Sequence, residues 1–386
     1  MKSQSNARKV SVFSLCVFVV SAALQGCAYR EDRNSGVEMP RGAPYSAEDE
    51  ALYLARYQQF MDPASAGGGI GNYDPLEAVY GAPEPTLIAS APAATLSSAA
   101  LASARKYAAE RNSSALLVWR DGRLEEESYF GPFERDTPIV SKSLAKPVTA
   151  LLIGRAIRQG FIKSLDQPVA DFITEWRDDR QRSKITIRDM LAMQTGLQAQ
   201  ALSGGPEEML FRAYLHPRHD QIIIHDYPMT DEPGTRYEYS NANADLVAPV
   251  IERATGKRYA EYLSEALLEP IGAAGGSVWV NRPGGMAHSG CCLLLPAQSW
   301  LKMAILLIDD GMWKGERLLP KGYVDEMRKG SAQNPHYGLG VWLAGSYVER
   351  RGFANPDSPA PKVLHSEPYL DKQLFLFDGN ANQVVY

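Results

Sequence analysis

The placement of strand-forming segments constrains this chain's fold more than any other feature. Residues 114–120 and 123–129 read as two strands joined by Asp121-Gly122, a dipeptide suited to a tight hairpin turn. The next clear strand patterns, residues 374–378 and 383–386, stand at the opposite end of the chain. Between them the apolar spacing is helical. An Ala-rich amphipathic helix is expected over residues 97–111, and a long one from Ser143 to about Gly160 carries Leu144, Val148, Leu151, Leu152 and Ala156. Further helices are expected over residues 187–193, 243–255, 259–268 and 296–311. Strands at both ends with helices between argue for an α+β layer structure and against a parallel βαβ fold. No repeat of fixed period is visible.

The body begins near Ser97, so residues 96–386 are expected to form one domain. What precedes it reads differently. Lys2, Arg8 and Lys9 form a positive start, and residues 10–24 are an apolar run of signal-peptide length, too short for a comfortable membrane span. The run ends in Leu24-Gln25-Gly26-Cys27, which resembles the lipobox of bacterial lipoproteins. That resemblance implies a signal over residues 1–26, acylation of Cys27 and a membrane partner through the lipid. With Ala28 rather than Asp after the cysteine, it implies the outer membrane, facing the periplasm. The alternative is an ordinary cleaved signal and a soluble periplasmic protein. Residues 27–95 carry a helical pattern over 46–61 and then a Gly-, Pro- and Ala-rich stretch, the composition of a tether or loosely ordered arm.

Several function classes are disfavoured. A net charge of −5 and no basic run give no pull toward nucleic acid. The Gly-x-Ser-x-Gly elbow, the His-Glu-x-x-His motif and phosphate-cradling glycine loops are absent. His216, His219 and His225 read as scattered loop histidines, because Pro217 breaks any helix that would align the first two. No metal or cofactor is therefore expected. Of four cysteines only the adjacent Cys291 and Cys292 fall in the body. Bridging neighbours strains the intervening peptide, so they are expected to be small buried residues without a disulfide.

A Ser-x-x-Lys spacing places a hydroxyl and an amine one helical turn apart on one face. At a helix start the dipole disfavours the protonated amine, and free N–H groups can stabilise an oxyanion. A desolvated lysine can then be neutral near pH 7 and accept the serine proton. The spacing occurs three times, at Ser103/Lys106, Ser143/Lys146 and Ser299/Lys302. Only Ser143 begins a helix directly after a strand and turn.

The residues around it carry a resemblance. Ile139-Val140-Ser141-Lys142-Ser143-Leu144-Ala145-Lys146 resembles the first motif of the class C β-lactamase and esterase superfamily. Lys184 to Leu191 with Thr195-Gly196-Leu197 resembles that family's next block. Pro233-Gly234-Thr235-Arg236-Tyr237-Glu238-Tyr239-Ser240-Asn241 matches its Pro-Gly and Tyr-x-Asn element. The resemblance implies a β-lactamase/transpeptidase-like fold, with an antiparallel sheet flanked by helices and a mainly helical subdomain. It implies Ser143 as nucleophile, Tyr239 as proton shuttle, and Asn241 holding substrate and Lys146. A phenol beside a cation is expected to have a lowered pKa and to serve as base, then acid. Tyr237 competes for that role, but only Tyr239 has Asn two residues on. Residues 284–290 resemble the family's glycine-rich region, where His288 reads as structural.

The third motif matches least. Gly379-Asn380-Ala381-Asn382-Gln383 is closest to a Gly-x-x-Gly-Gln variant of 6-aminohexanoate-oligomer hydrolases, with Asn382 in place of the second glycine. It would offer a backbone N–H near Asn380 as an oxyanion donor. The absence of Lys-Thr-Gly speaks against strong β-lactamase activity. Family members continue past this point through a strand that pairs with the N-terminal hairpin, so the sequence reads as incomplete at its C-terminus. The expected activity is a serine hydrolase acting on small esters or amides through an acyl-enzyme on Ser143. The alternative is a non-catalytic penicillin-binding-like or peptidoglycan-binding lipoprotein. The exact substrate and the oligomeric state stay open.

Overall fold

The computed structural model describes residues 45–62, 73–199, 205–344, 371, 373–380 and 383–386. The expected signal and Cys27 lie outside the described residues. No helix of the described residues is long and apolar enough to cross a membrane.

Where it is described, the expected loose arm is built into the body. Helix α1 (Ala47–Met61) is capped by Ser46, whose hydroxyl accepts from the Asp49 amide at 3.0 Å. Its Tyr53 is 1% exposed, and Glu50 forms a two-pronged pair with Arg212 at 2.6 and 3.1 Å. Arg56 is buried and donates to the carbonyls of Leu215, Asn281 and Asp74 at 3.2, 2.9 and 3.1 Å. Strand β1 (Leu76–Gly81) follows. Glycine, proline and alanine gave this region the composition of a tether. Its strand character comes from a partner far along the chain, which no local pattern reports.

Helix α2 (Ser98–Glu110) leads into the hairpin of β2 (Ala115–Arg120) and β3 (Arg123–Tyr129). Asp121 and Gly122 both take positive φ, 48° and 85°, as a two-residue turn matched to strand twist requires. Next come β4 (Ile139–Val140), a 3₁₀ turn (Lys142–Ala145) and α3 (Lys146–Arg158). Residues 146–156 of α3 are all buried, Lys146, Thr149 and Arg155 among them, so this helix is a core element in spite of its polar residues. Shorter helices follow: α4 (Ile187–Leu191), α5 (Met209–Leu215), α6 (Asn241–Asp245), α7 (Val247–Thr255), which packs on α3, and α8 (Tyr259–Leu263).

Strands β5 (Ala274–Trp279) and β6 (Leu293–Leu295) complete a four-stranded antiparallel sheet in the order β1-β5-β6-β4. Leu76 pairs with Trp279 and Gly81 with Ala274. Helix α9 (Ala297–Ile308) follows, then the small pair β7 (Met312–Trp313) and β8 (Glu316–Arg317). A three-stranded sheet closes the described chain: β9 (Trp342–Leu343), β10 (Phe375–Gly379) and β11 (Gln383–Val385), in the order β11-β10-β9. Among the described residues the β2–β3 hairpin is a sheet of its own. The architecture is α+β with antiparallel sheets, as the sequence pattern implied.

Cys291 and Cys292 depart from expectation. Both are buried, but they are joined by a disulfide. Cys292 takes φ 66°, the left-handed region, which is how the backbone accommodates the bridge between neighbours.

If α1 is part of the fold, Arg56→Ala should destabilise the protein by about 1–3 kcal/mol, because the Leu215 and Asn281 carbonyls lose this donor while Asp74 keeps only the Trp279 indole N–H. Thermal or denaturant unfolding measures this, and an unchanged midpoint would mean that α1 does not dock.

Candidate active site

The position of Ser143 is set by a strand pair. Ile139 and Val140 of β4 pair with Leu295 and Leu294 of β6. Ser141 extends the pairing: its amide donates to the Leu293 carbonyl at 2.8 Å, and its hydroxyl accepts from the Leu293 amide at 3.1 Å. Lys142 then takes φ 49°, turning the chain out of the strand. Ser143 follows in the 3₁₀ turn, half-buried, and Lys146 is the first residue of α3. Pro147, with no N–H to leave unsatisfied, suits the first turn.

Lys146 is 1% exposed. Its Nζ lies 3.1 Å from Ser143 Oγ, 2.8 Å from Asn241 Oδ1 and 2.9 Å from the Gly290 carbonyl. Burial brings its pKa from 10.5 down to about 7, with the charge of Asp245 opposing the shift. The amine is thus poised to be neutral near pH 7.

Tyr239 and Asn241 flank the start of α6, which Ser240 caps by accepting from the Ala242 amide at 3.1 Å. The turn at Gly234, φ 77°, and the bond from the Glu238 amide to the Met193 carbonyl at 2.9 Å deliver the segment to this point. The Tyr239 phenol hydrogen-bonds with Ser143, and its ring centroid lies 4.9 Å from Lys146 Nζ. The lowered phenol pKa expected from the sequence does not hold. Burial raises it, the bond with Ser143 lowers it less, and the Asp378 carboxylate raises it further. The neighbouring amine cannot offset this, because the same burial that acts on the phenol strips the amine of its charge.

The four residues expected to converge do so: Ser143, Lys146, Tyr239 and Asn241. Gly379 of β10 passes directly against the Ser143 turn. A Cβ at Gly379 would lie 2.5 Å from the Ser141 carbonyl oxygen and 2.9 Å from the Leu144 amide, so only glycine lets the strand come this near. Asn380, exposed, stands on the turn that follows. The other two Ser-x-x-Lys pairs have structural places. Ser103 and Lys106 are exposed on α2. Lys302 donates to the Thr86 and Gly272 carbonyls, and Ser299 to the Ala274 carbonyl at 2.8 Å. Tyr237 is buried against Tyr337, with ring centroids 5.5 Å apart.

Three contributors were not read from the sequence. Trp342 stacks on the Tyr239 ring at 5.7 Å, and Tyr337 meets it edge-on at 6.0 Å, so an aromatic wall holds the phenol. The carbonyl of Gly290 acts through the backbone and leaves no side-chain signature. The third is a buried cluster. His219, Asp245 and His288 each bring one ligand-capable atom within 4.8 Å of the others, where scattered histidines were expected. The His219 and His288 rings are stacked, 3.9 Å apart and 17° from parallel. Imidazole lone pairs lie in the ring plane, so stacked rings direct them side by side and not onto one ion. The arrangement fits packing better than metal ligation.

The 6-aminohexanoate-dimer hydrolase of Paenarthrobacter ureafaciens is 24% identical over 261 residues, 62% of this chain and 64% of that one. Esterase EstB of Burkholderia gladioli is 28% identical over 172 residues, 41% of this chain and 42% of that one. The chain therefore spans less than two thirds of the length of these curated relatives. A solved Bacillus anthracis protein, described as a candidate 6-aminohexanoate-dimer hydrolase, superposes with a TM-score of 0.60 at 18% identity, covering 84% of this chain and 88% of that one. Hydrolases are thus among its relatives, and the fold is that of this group. Residues 98–291 match the family model described as Beta-lactamase, and the chain belongs to that family.

Proposed function

We propose that the protein is a serine hydrolase that cleaves small esters or amides through an acyl-enzyme on Ser143. The observation that carries this reading is the meeting of three groups from two distant segments. A hydroxyl (Ser143), a buried amine of pKa about 7 (Lys146) and a phenol (Tyr239) share one hydrogen-bonded site. Such a set has little structural use, since burying a lysine at a helix start costs stability.

The protonation states divide the work. Neutral Lys146 takes the Ser143 proton as Oγ attacks the substrate carbonyl. Tyr239, which burial keeps protonated, gives its proton to the departing alcohol or amine as the carbonyl–heteroatom bond breaks. This leaves the acyl-serine flanked by an ammonium and a phenolate. Water then attacks the acyl group and yields a proton to the phenolate. The ammonium returns its proton to Ser143 Oγ, and each group ends as it began. The backbone N–H of Ser143 and one near Asn380, on the strand that Gly379 brings alongside, are the oxyanion donors in this scheme. Relatives named as an esterase and as a hydrolase of an amide-linked dimer support ester and amide substrates. The order of charged start, apolar run and Cys27 supports export and a lipid anchor, with the domain on the periplasmic side of the outer membrane. A buried disulfide suits that oxidising compartment.

A fluorophosphonate should add once to the wild-type protein, at Ser143, as read by intact mass and peptide mapping. Ser143→Ala should take no label and lose about 10⁴-fold or more in kcat toward a short-chain nitrophenyl ester. A folded wild type that takes no label would favour a binding protein. Because Lys146 must be deprotonated to act, kcat/KM should fall as pH drops through about 7. An acid limb centred near 10 would mean that Lys146 keeps an ordinary amine pKa and is not poised near neutrality.

A further inference from the structure

The acceptors that hold Lys146 are themselves tied together, and one buried carboxylate makes the tie. Asn241 and Asp245 are the first and last residues of α6, so both lie within one short rigid element. Gly290 offers its carbonyl to Lys146 at 2.9 Å, and through its amide donates to Asp245 Oδ1 at 2.8 Å. The neighbouring Ser289 hydroxyl donates to the Ala244 carbonyl at 2.7 Å and accepts from the Ala248 amide at 3.2 Å. On its far side the Gly290 segment ends in the Cys291–Cys292 disulfide. The fit has no slack: a Cβ at Gly290 would lie 2.6 Å from the Ala244 Cβ and 3.1 Å from Asp245 Oδ1.

Asp245 is 1% exposed, and its second oxygen stands 3.5 Å from His288 Nδ1 without a hydrogen-bond partner among the described residues. Burying a carboxylate costs several kcal/mol, and a neutral residue of the same shape would cap the Gly290 amide at lower cost. We infer that Asp245 is a positioning residue for Lys146. It clamps the Gly290 carbonyl to the helix that carries Asn241, and it places a negative charge behind the amine. The inference rests on the serine hydrolase reading above.

Burial raises the pKa of Asp245, while His219, the Gly290 amide and Lys146 favour its ionised form, the form in which the carboxylate acts on the amine. Asp245 faces His219 and His288, whose pKa values burial depresses, and the phenols of Tyr214 and Tyr259, which burial keeps protonated. Arg56 and Asp220 act on His288 from farther out. Lys146 faces Ser143, Tyr239, Asn241 and Asp245, with Asp378 beyond Tyr239. Among the described residues Lys146 is thus the amine that titrates against the Asp245 charge, and that charge holds its proton on. Removing the charge should let the proton go at lower pH.

The test is the pH dependence of Ser143 phosphonylation by a fluorophosphonate, per labelled site. It is run on the wild type, Asp245→Asn, Asp245→Ala and Gly290→Ala, with melting points for each. Asp245→Asn keeps an oxygen for the Gly290 amide. It should stay within a few-fold of wild type at high pH, with the acid limb moved down by about 1 unit. Asp245→Ala and Gly290→Ala lose the clamp, and should slow labelling about 10- to 100-fold with the stoichiometry intact. If Asp245→Ala fails to fold, the other two variants decide. Variants with wild-type rates per site and an unmoved acid limb, whatever their melting points, would overturn the inference. A folded wild type that takes no label at all would instead overturn the hydrolase reading, and this inference with it.

Discussion

Lys146 lies where water does not reach, at the first turn of a helix that is buried along most of its length. Three acceptors surround its amine: a serine oxygen, an amide oxygen and a backbone carbonyl. None of them is a carboxylate in contact, so only the more distant Asp245 charge favours the protonated form, and burial outweighs it. That choice of partners separates a reactive lysine from a structural one. Lys302 makes the contrast: it too is buried and its pKa is lowered, to about 8, but its close contacts are the Thr86 and Gly272 carbonyls, and the Thr86 hydroxyl, 3.4 Å away, is turned to the Gly272 carbonyl at 3.5 Å.

The rest of the structure can be understood as support for that amine. The β4–β6 pair supplies Ser143 from one strand and the Gly290 carbonyl from the approach to the other. The short helix α6 brings Asn241, with Tyr239 just ahead of its cap. The aromatic wall of Trp342 and Tyr337 fixes the phenol and keeps the surroundings apolar. Gly379 lets a third strand lie against the Ser143 turn. These pieces come from segments spread over most of the chain, so the site forms only when the domain does.

Much of this was legible in the sequence, and for physical reasons. The hairpin at Asp121-Gly122 and the long helices follow from local turn chemistry and apolar spacing, which short windows carry. Ser143 stood out among three identical spacings because a strand and a turn precede it, and Tyr239 because Asn241 follows two residues on. What escaped depends on contacts between distant segments. Strand β1 lies in a Gly- and Pro-rich stretch, and only its pairing with β5 makes it a strand. Gly290 acts through its backbone, and Trp342 sits in a two-residue strand. The disulfide opposed a sound general rule, and the positive φ of Cys292 shows how the backbone meets it. The phenol's pKa was misjudged for another reason. A charged lysine was assumed, whereas burial acts on both partners and leaves the amine neutral and the phenol protonated.

The claim beneath all of this is that the Lys146 amine gives up its proton near neutrality. Nitrogen-detected NMR of lysine-labelled protein, with the Lys146 resonance assigned by its loss in Lys146→Arg, measures this without any substrate. The account predicts a titration midpoint near 7. A Lys146 amine that stays protonated up to about pH 10, like an exposed lysine, would contradict it.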